Sequence, residues 1–325
     1  MSPSKTLRWG LIGCGDIARR RVAPALRDLD NCRLINVTRE KINQLEAFAR
    51  EFGAEKWVPD WHELVADPDI DAVYIATPVY LHRKMTLEAA SSGKHVLCEK
   101  PMAMTESECK AMILACERQG VRLGIAYYRH FYPTVRRTHA IIREGVIGDV
   151  KIVQINAFSY FNRKPGEPRY WLLEKGKSGG GPMMDFGCHR IEVMLDLLGP
   201  VTDVHAEISN LRFQREVEDT AIAHLVFSNG VRGLLTVTHV VAEGQDTLDV
   251  YGTKGSVHIP VLNQGKLILR TERDTVEQLP LHENLHIPLI KDFTLAVLQD
   301  RPPGVPGETG LEVNNILTKI YRNTF

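Results

Sequence analysis

The sequence predicts an α/β protein in two parts. A doubly wound parallel sheet occupies residues 1–125, and an α+β domain with a large open, mainly antiparallel sheet occupies residues 126–325. Three observations predict it. A short apolar strand at residues 7–12 runs into a glycine-rich turn and then a helix. Strands and helices alternate from there to about residue 127, the pattern of parallel strands joined by crossover helices. After residue 201 the chain becomes a run of strands separated by turn signals such as Ser228-Asn229-Gly230 and Thr253-Lys254-Gly255.

Composition narrows the function before any motif is read. The 325 residues suffice for two domains with a buried core. Forty Lys and Arg balance forty Asp and Glu, so no global field favours nucleic acid or an anionic membrane, and a small-molecule ligand is expected. Met1-Ser-Pro-Ser-Lys-Thr lacks an apolar signal core, and no later stretch approaches the roughly 20 apolar residues of a membrane span, so a cytoplasmic protein is expected. Cys14, Cys32, Cys98, Cys109, Cys116 and Cys188 form no C-x-x-C pair and read as buried, reduced thiols. The twelve histidines form no H-E-x-x-H cluster, so no metal site is expected.

In chain order, Gly13-Cys14-Gly15-Asp16-Ile17-Ala18 has the spacing G-x-G-x-x-A between the first strand and a helix reaching residue 29. Gly13 permits the turn, Gly15 admits a pyrophosphate to the backbone, and Ala18 lets helix and strand pack closely, which makes Gly13, Gly15, Asp16 and Ile17 dinucleotide-binding candidates. Pro24 should kink the helix. The second strand, 34–38, ends in Thr38-Arg39, where an acidic residue would grip the adenine ribose hydroxyls. A hydroxyl followed by a guanidinium suits a 2′-phosphate, so NADP is favoured, while Glu40 keeps NAD open.

An amphipathic helix follows at 42–52, then a strand at 57–58 and a helix at 61–65. The strand 70–76 ends in Ala76-Thr77-Pro78, positioned to lie against a cofactor ribose or nicotinamide. A helix spans 81–92, with His82 at its head as either a structural or a ligand-touching residue. The strand 94–98 runs straight into Glu99-Lys100-Pro101. Proline restricts the residue before it, so Lys100 is held on a stiff turn at a strand's carboxyl end, although a plain surface Glu-Lys pair has the same sequence. Thr105-Glu106-Ser107-Glu108 is a capping box for a helix to 119, and 122–127 is the last strand of this half.

The second half opens with a helix at 133–145 and a strand at 150–161. The stretch 162–182, rich in Gly, Pro and Lys and containing Tyr170-Trp171, is too long for a plain connector and reads as a lid or substrate rim. It ends in Gly179-Gly180-Gly181-Pro182, glycines that would let backbone approach a ligand. In the helix that follows, to 198, Asp185 and His189 share a face, with Glu192 placed to orient the imidazole. An exposed helical ion pair is the plainer alternative, but the helix is otherwise apolar (Met184, Ile191, Met194, Leu195). Tyr127, Arg129, Tyr160 and Trp171 are expected to shape the substrate pocket. Strands follow at 201–209, 220–227, 231–240, 248–251, 256–259, 267–271 and 275–279, and helices at 289–299 and 309–321. An open sheet exposing a large face predicts a homodimer or homotetramer formed through it.

Four elements resemble the glucose-fructose oxidoreductase / inositol dehydrogenase / MocA family and stand in its order: Gly13 to Ala18, Glu99-Lys100-Pro101, Phe131-Tyr132-Pro133 with Gly145-Val146-Ile147-Gly148, and Gly179 to His189. The resemblance implies a Rossmann domain followed by an open-sheet domain, with nicotinamide and a sugar or polyol meeting between them. It implies that Lys100 is the catalytic lysine, joined by Asp185 and His189. Thr38 departs from NAD-using members, and bacterial NADP-dependent sugar reductases are the nearer likeness. Hydride transfer leaves an alcohol proton to move and an alkoxide-like charge to stabilise. Histidine titrates in the right range for the first, and a desolvated lysine can serve either task, so the two roles are interchangeable. The same fold also resembles glycosidases that use transient redox and regulators that catalyse nothing. Among oxidoreductases, a dihydrodiol or biliverdin reductase is the nearer competitor.

Overall fold

The computed structural model describes residues 6–40 and 42–322; residues 1–5, most of the stretch read as lacking a signal core, lie outside them. Its contacts divide into two compact units. One comprises the described residues up to Tyr128 together with His282–Leu311; the other comprises Arg129–Leu281 with the described residues from Glu312 onward.

The first unit holds six strands: β1 (Leu7–Ile12), β2 (Cys32–Thr38), β3 (Lys56–Trp57), β4 (Ala72–Ile75), β5 (His95–Cys98) and β6 (Leu123–Ile125). All pair in parallel in the order β3-β2-β1-β4-β5-β6. The order reverses between β1 and β4, and at such a switch point the crevice outside the carboxyl ends of the strands receives ligands. β4 is buried along its whole length, as a strand covered on both faces must be.

The capping box forms with one offset: Thr105 Oγ1 accepts from the Glu108 amide at 3.3 Å, while the Glu108 carboxylate accepts from the Met104 amide, one residue before the cap, at 3.0 Å, starting the helix Glu106–Arg118. Pro24 lies inside a helical run that changes register beside it: a wide π-type turn, Ala18–Val22, in which the Ala23 amide donates to the Ala18 carbonyl, passes directly into the α-helix Ala23–Asp28. A residue without an amide sits where the regular i to i−4 ladder is interrupted.

The domain expectation differs most at residues 282–311, assigned by sequence to the second domain. The helix Ile287–Leu298 packs on β1, with the rings of Phe293 and Trp9 at 5.6 Å. Gly124 leaves room for that ring, since a Cβ there would come within 2.7 Å of it. The Ile125 amide donates to the Val305 carbonyl at 3.0 Å, extending the edge of the parallel sheet.

The second unit is built on a nine-stranded sheet of β7 (Val150–Tyr160), β8 (Val201–Ser209), β9 (Thr220–Phe227), β10 (Arg232–Thr238), β11 (Val240–Asp246), β12 (Leu248–Gly252), β13 (Ser256–Ile259), β14 (Lys266–Arg270) and β15 (Thr275–Gln278). Only β7 and β10 pair in parallel. β11 was not expected. The strand read as 231–240 breaks at His239, whose amide donates to the Asp219 carbonyl and whose carbonyl accepts from Phe161, and the chain then returns along β7. Its Ala-Glu-Gly-Gln-Asp stretch has no apolar alternation to announce a strand.

Alternation sets the two faces. Val153, Ile155 and Ala157 of β7 are buried, and the helix Cys188–Leu198 lies on that side, with Met194 against Gly233 of β10. Ile152, Tyr160, Ile222 and Leu234 are exposed on the opposite face. The stretch 162–182 is no open loop: it contains helical turns at Tyr170–Leu173 and Lys175–Ser178, and Leu172, Leu173, Phe161 and Val217 form a cluster of their own. No described helix is long and apolar enough to cross a membrane.

Candidate functional site

At the switch point of the first unit, Gly13 has φ +98° and donates its amide to the Thr38 carbonyl at 2.9 Å. A Cβ there would sit 2.8 Å from the Ala76 carbonyl oxygen, so the fold itself requires this glycine. Gly15 is different. Its φ is ordinary and nothing lies within 4 Å of a Cβ built on it, so neither backbone nor packing requires glycine. The open space at Gly15 fits a dinucleotide passing close to the chain at the start of the run Ala18–Val22. Asp16 is exposed and paired with Arg20 at 2.7 Å, and Ile17 is half-buried at the cap. Burial pushes the Cys14 thiol up to about 12, so it is a structural group rather than a nucleophile.

The end of β2 corrects one expectation. Thr38 is 2% exposed and turns its hydroxyl toward the Pro59 carbonyl at 3.4 Å, so it offers no donor to a phosphate. Arg39, half-buried and close enough to Cys14 to act on its thiol, has no ion-pair partner among the described residues. At the end of β4, Ala76 donates its amide to Ile12 at 2.8 Å, Thr77 turns its hydroxyl to the Met85 sulfur, and Pro78 precedes the turn Val79–Leu81. His82 faces inward: Nε2 lies 2.9 Å from the Thr77 carbonyl and Nδ1 3.0 Å from that of Pro101. It ties the two strand-end turns together, which is the structural alternative. Burial lowers its pKa despite those carbonyls.

Lys100 stands half-buried after β5, joined to Pro101 by a cis peptide bond. Glu99 beside it is buried. It accepts from the Tyr74 hydroxyl at 2.9 Å and from the Lys100 amide at 3.1 Å, and its Oε1 lies 3.6 Å from His286 Nε2. Burial pushes the carboxyl up, but His286, the Lys100 charge and Tyr74 outweigh it, and Glu99 sits below the usual carboxylate range. His286 in turn stacks on Tyr128 at 4.5 Å. Sequence reasoning missed His286, Tyr74 and Tyr128. His286 arrives on the return segment, more than 180 positions from Glu99, and carried no local signal.

In the second unit, Asp185 lies in a π-type turn, Met183–Gly187, that leads into the helix carrying His189. His189 is 2% exposed. Asp185 Oδ2 meets Arg169 Nη2 at 3.5 Å. The glycines before them serve packing rather than a ligand. A Cβ on Gly181 would run into the Glu218 carbonyl oxygen, and one on Gly180 into the Tyr321 hydroxyl. Glu218 then fastens the turn: its carboxylate accepts from the Gly181 amide at 2.8 Å, the Met183 amide at 3.1 Å and the Tyr321 hydroxyl at 2.7 Å. Neither Glu218 nor Tyr321 was expected.

Other candidates fall elsewhere. Glu192 does not orient His189; it accepts from His130 at 2.9 Å. Tyr127 is completely buried in the first unit. Arg129 lies 3.8 Å from Asp246, whose other oxygen holds Arg190 at 2.6 Å. Tyr160 is on the sheet face opposite the Asp185 helix, because its even-numbered position on β7 points the other way from Val153, Ile155 and Ala157. Trp171 packs against the Phe161 cluster. Among the described residues no group of three or more His, Cys, Asp or Glu is placed to hold a metal ion.

With this geometry in hand, comparison with known proteins is direct. Residues 7–127 match the profile of an oxidoreductase family with an NAD-binding Rossmann fold, and residues 135–258 match the GFO/IDH/MocA C-terminal domain. The 1,5-anhydro-D-fructose reductase of Ensifer adhaerens is 32% identical over 311 residues, 94% of this chain and 92% of that one. The scyllo-inositol 2-dehydrogenase (NAD(+)) of Bacillus subtilis is 28% identical over 98% of this chain and 94% of its own length. Among solved structures, the aldose-aldose oxidoreductase of Caulobacter crescentus, complexed with glycerol, superposes with a TM-score of 0.90 at 28% identity, covering 98% of this chain and 97% of that one. The six-stranded parallel order, the glycine turn at its switch point and the full-length likeness agree, and the chain belongs to the GFO/IDH/MocA oxidoreductase family as an NAD(P)-binding enzyme.

Proposed function

We propose that the protein transfers hydride between NADP and a CH–OH or C=O group of a sugar, polyol or related small molecule. The observation that carries the reading is Gly15, a glycine with no internal reason to be one, at the switch point of the parallel sheet. Arg39 supports NADP over NAD, since a guanidinium at the end of β2 with no ion-pair partner among the described residues suits a 2′-phosphate. The bound nicotinamide would supply or accept the hydride.

The chain's own residues do the rest. Gly13, Gly15, Ile17 and Arg39 hold the dinucleotide, and the turn Ala76-Thr77-Pro78 lies against its ribose. Lys100 polarises the substrate oxygen and stabilises its negative charge; Glu99, fixed by Tyr74 and His286, holds the Lys100 backbone in place. His189 exchanges the hydroxyl proton, and Asp185 binds a neighbouring hydroxyl. The reductase and inositol dehydrogenase relatives favour a polyhydroxylated substrate. Use of a nicotinamide cofactor and the free state of all six cysteines support a cytoplasmic location. The exposed sheet face supports a homo-oligomer.

A panel of sugars, inositols and ketoses with each cofactor, followed by nicotinamide absorbance, tests this. Lys100→Met and His189→Ala should each lower kcat by about a hundredfold or more with little change in cofactor affinity. Arg39→Ala should lower the ratio of kcat/KM for NADPH over NADH. Unchanged turnover in both of the first two variants would sink the assignment.

A further inference from the structure

In the second unit two arginine side chains share one aromatic ring. The Phe161 ring belongs to the cluster of Leu172, Leu173 and Val217 and is therefore fixed. Two guanidinium groups lie over it, those of Arg163 at 4.9 Å and Arg169 at 5.0 Å from its centroid. A third, Arg215, lies over Phe213 instead and is taken up by the Phe161, Val217 and Glu218 carbonyls. Among the described residues, the carboxylate within ion-pair distance of Arg163 or Arg169 is Asp185, at 3.5 Å from Arg169.

Two neighbouring acids face backbone amides rather than the Arg163 and Arg169 guanidinium groups, and their charges act on Arg215 through space. Both Asp219 oxygens accept backbone amides, from Leu211, Arg212 and Phe213, each at 2.9 Å. Glu218 is held by the Gly181 and Met183 amides and Tyr321. Arg163 makes one hydrogen bond, to the Asn162 carbonyl, and is otherwise exposed to solvent. Arg169 adds a second kind of observation: it holds φ at +68°, a left-handed conformation that is strained for a non-glycine residue. Like charges gathered on one aromatic platform, one of them on a strained backbone, form a receptor for planar anionic oxygens.

We propose that the substrate bears an anionic group, a carboxylate or a phosphate, which Arg163 and Arg169 grip over Phe161 while Asp185 takes a neighbouring hydroxyl. The ligand class is an acidic sugar or polyol: an aldonate, a uronate or a sugar phosphate. The inference rests on the proposed function in placing substrate beside Asp185, and it names the class of that substrate.

Calorimetric titration of the full chain, saturated with NADP+, provides the test. The probes are D-gluconate, D-glucuronate and D-glucose 6-phosphate, against the neutral D-glucitol and D-glucose. At least one anion should bind about tenfold more tightly than its neutral counterpart, as charge-assisted hydrogen bonds predict. Preference for the carboxylates or for the phosphate identifies the source. Arg169→Met and Arg163→Met should each remove most of that advantage and leave cofactor binding unchanged. Neutral compounds binding as tightly as all three anions, no binding by any anion, or an advantage that survives the double substitution would each overturn the proposal. Turnover separates the two readings. Neutral sugars oxidised or reduced without an anionic advantage leave the redox function standing and remove the anion site. Arginine-dependent anion binding without any hydride transfer does the reverse.

Discussion

A methyl group added at Gly181 has nowhere to go, because the Glu218 carbonyl fills the space. Gly181→Ala should therefore cost about 3 kcal/mol in denaturant unfolding, the usual scale for overpacking against backbone. Gly15→Ala should leave the unfolding midpoint within error and weaken NADP binding, since only a ligand needs that space. The two glycines look alike in sequence. The fingerprint around Gly15 was legible because its spacing is local, whereas the partner of Gly181 lies 37 positions away. His239 carries a pH dependence. It is buried, accepts a hydrogen bond from Arg215 on Nδ1 at 3.0 Å, and burial lowers it from 6.5 to about 4. The folded state thus favours neutral imidazole, so the unfolded chain binds more protons between these values. Stability is full above about pH 6.5 and should fall by up to about 3 kcal/mol as pH drops toward 4, at about 1.4 kcal/mol per unit. Unfolding of His239→Gln across this range should lose a shallower share of stability, the remainder coming from other buried groups such as His82 and His95.

Among the elements, the strands and helices of the first unit were readable because period and capping are written in consecutive residues. The wide turns at Ala18–Val22 and Met183–Gly187 were not, since a π-type turn differs from an α turn in register rather than in composition. Nor did periodicity reveal the partner of the helix Ile287–Leu298. An apolar stripe states that a helix is covered and leaves open by what. Its anchor is Phe293 against Trp9, both fully buried. Phe293→Ala should cost about 3 to 5 kcal/mol, measured by chemical denaturation, because it opens a cavity over β1. The polar environment of Lys100 was half legible: Glu99 precedes it in sequence, while His286 comes from this same return segment.

For the molecule as a whole, composition and motif order were enough to anticipate the class of fold and enzyme. The site residues were less evenly legible: Tyr127 and Tyr160 are aromatic and near the expected pocket in sequence, yet one is buried and the other points to the far face of its sheet. That face, with Ile152, Tyr160, Ile222, Leu234 and Tyr251 exposed, is a candidate for self-association. Sedimentation equilibrium should report a dimer or tetramer, and Ile222→Glu with Leu234→Glu should shift it toward the monomer while unfolding stability changes little.

The path of the chain through its first unit has a bearing on synthesis. The ribosome releases the glycine turn and all six parallel strands early, but the ring that covers Trp9 and the imidazole beside Glu99 belong to residues 282–311. The nascent amino-terminal half must wait, with β1 uncovered on one side, until most of the polypeptide has been made. A fragment stopped at residue 128 should therefore fold incompletely, and supplying 282–311 in trans should rescue its secondary-structure signal, as far-ultraviolet circular dichroism would report.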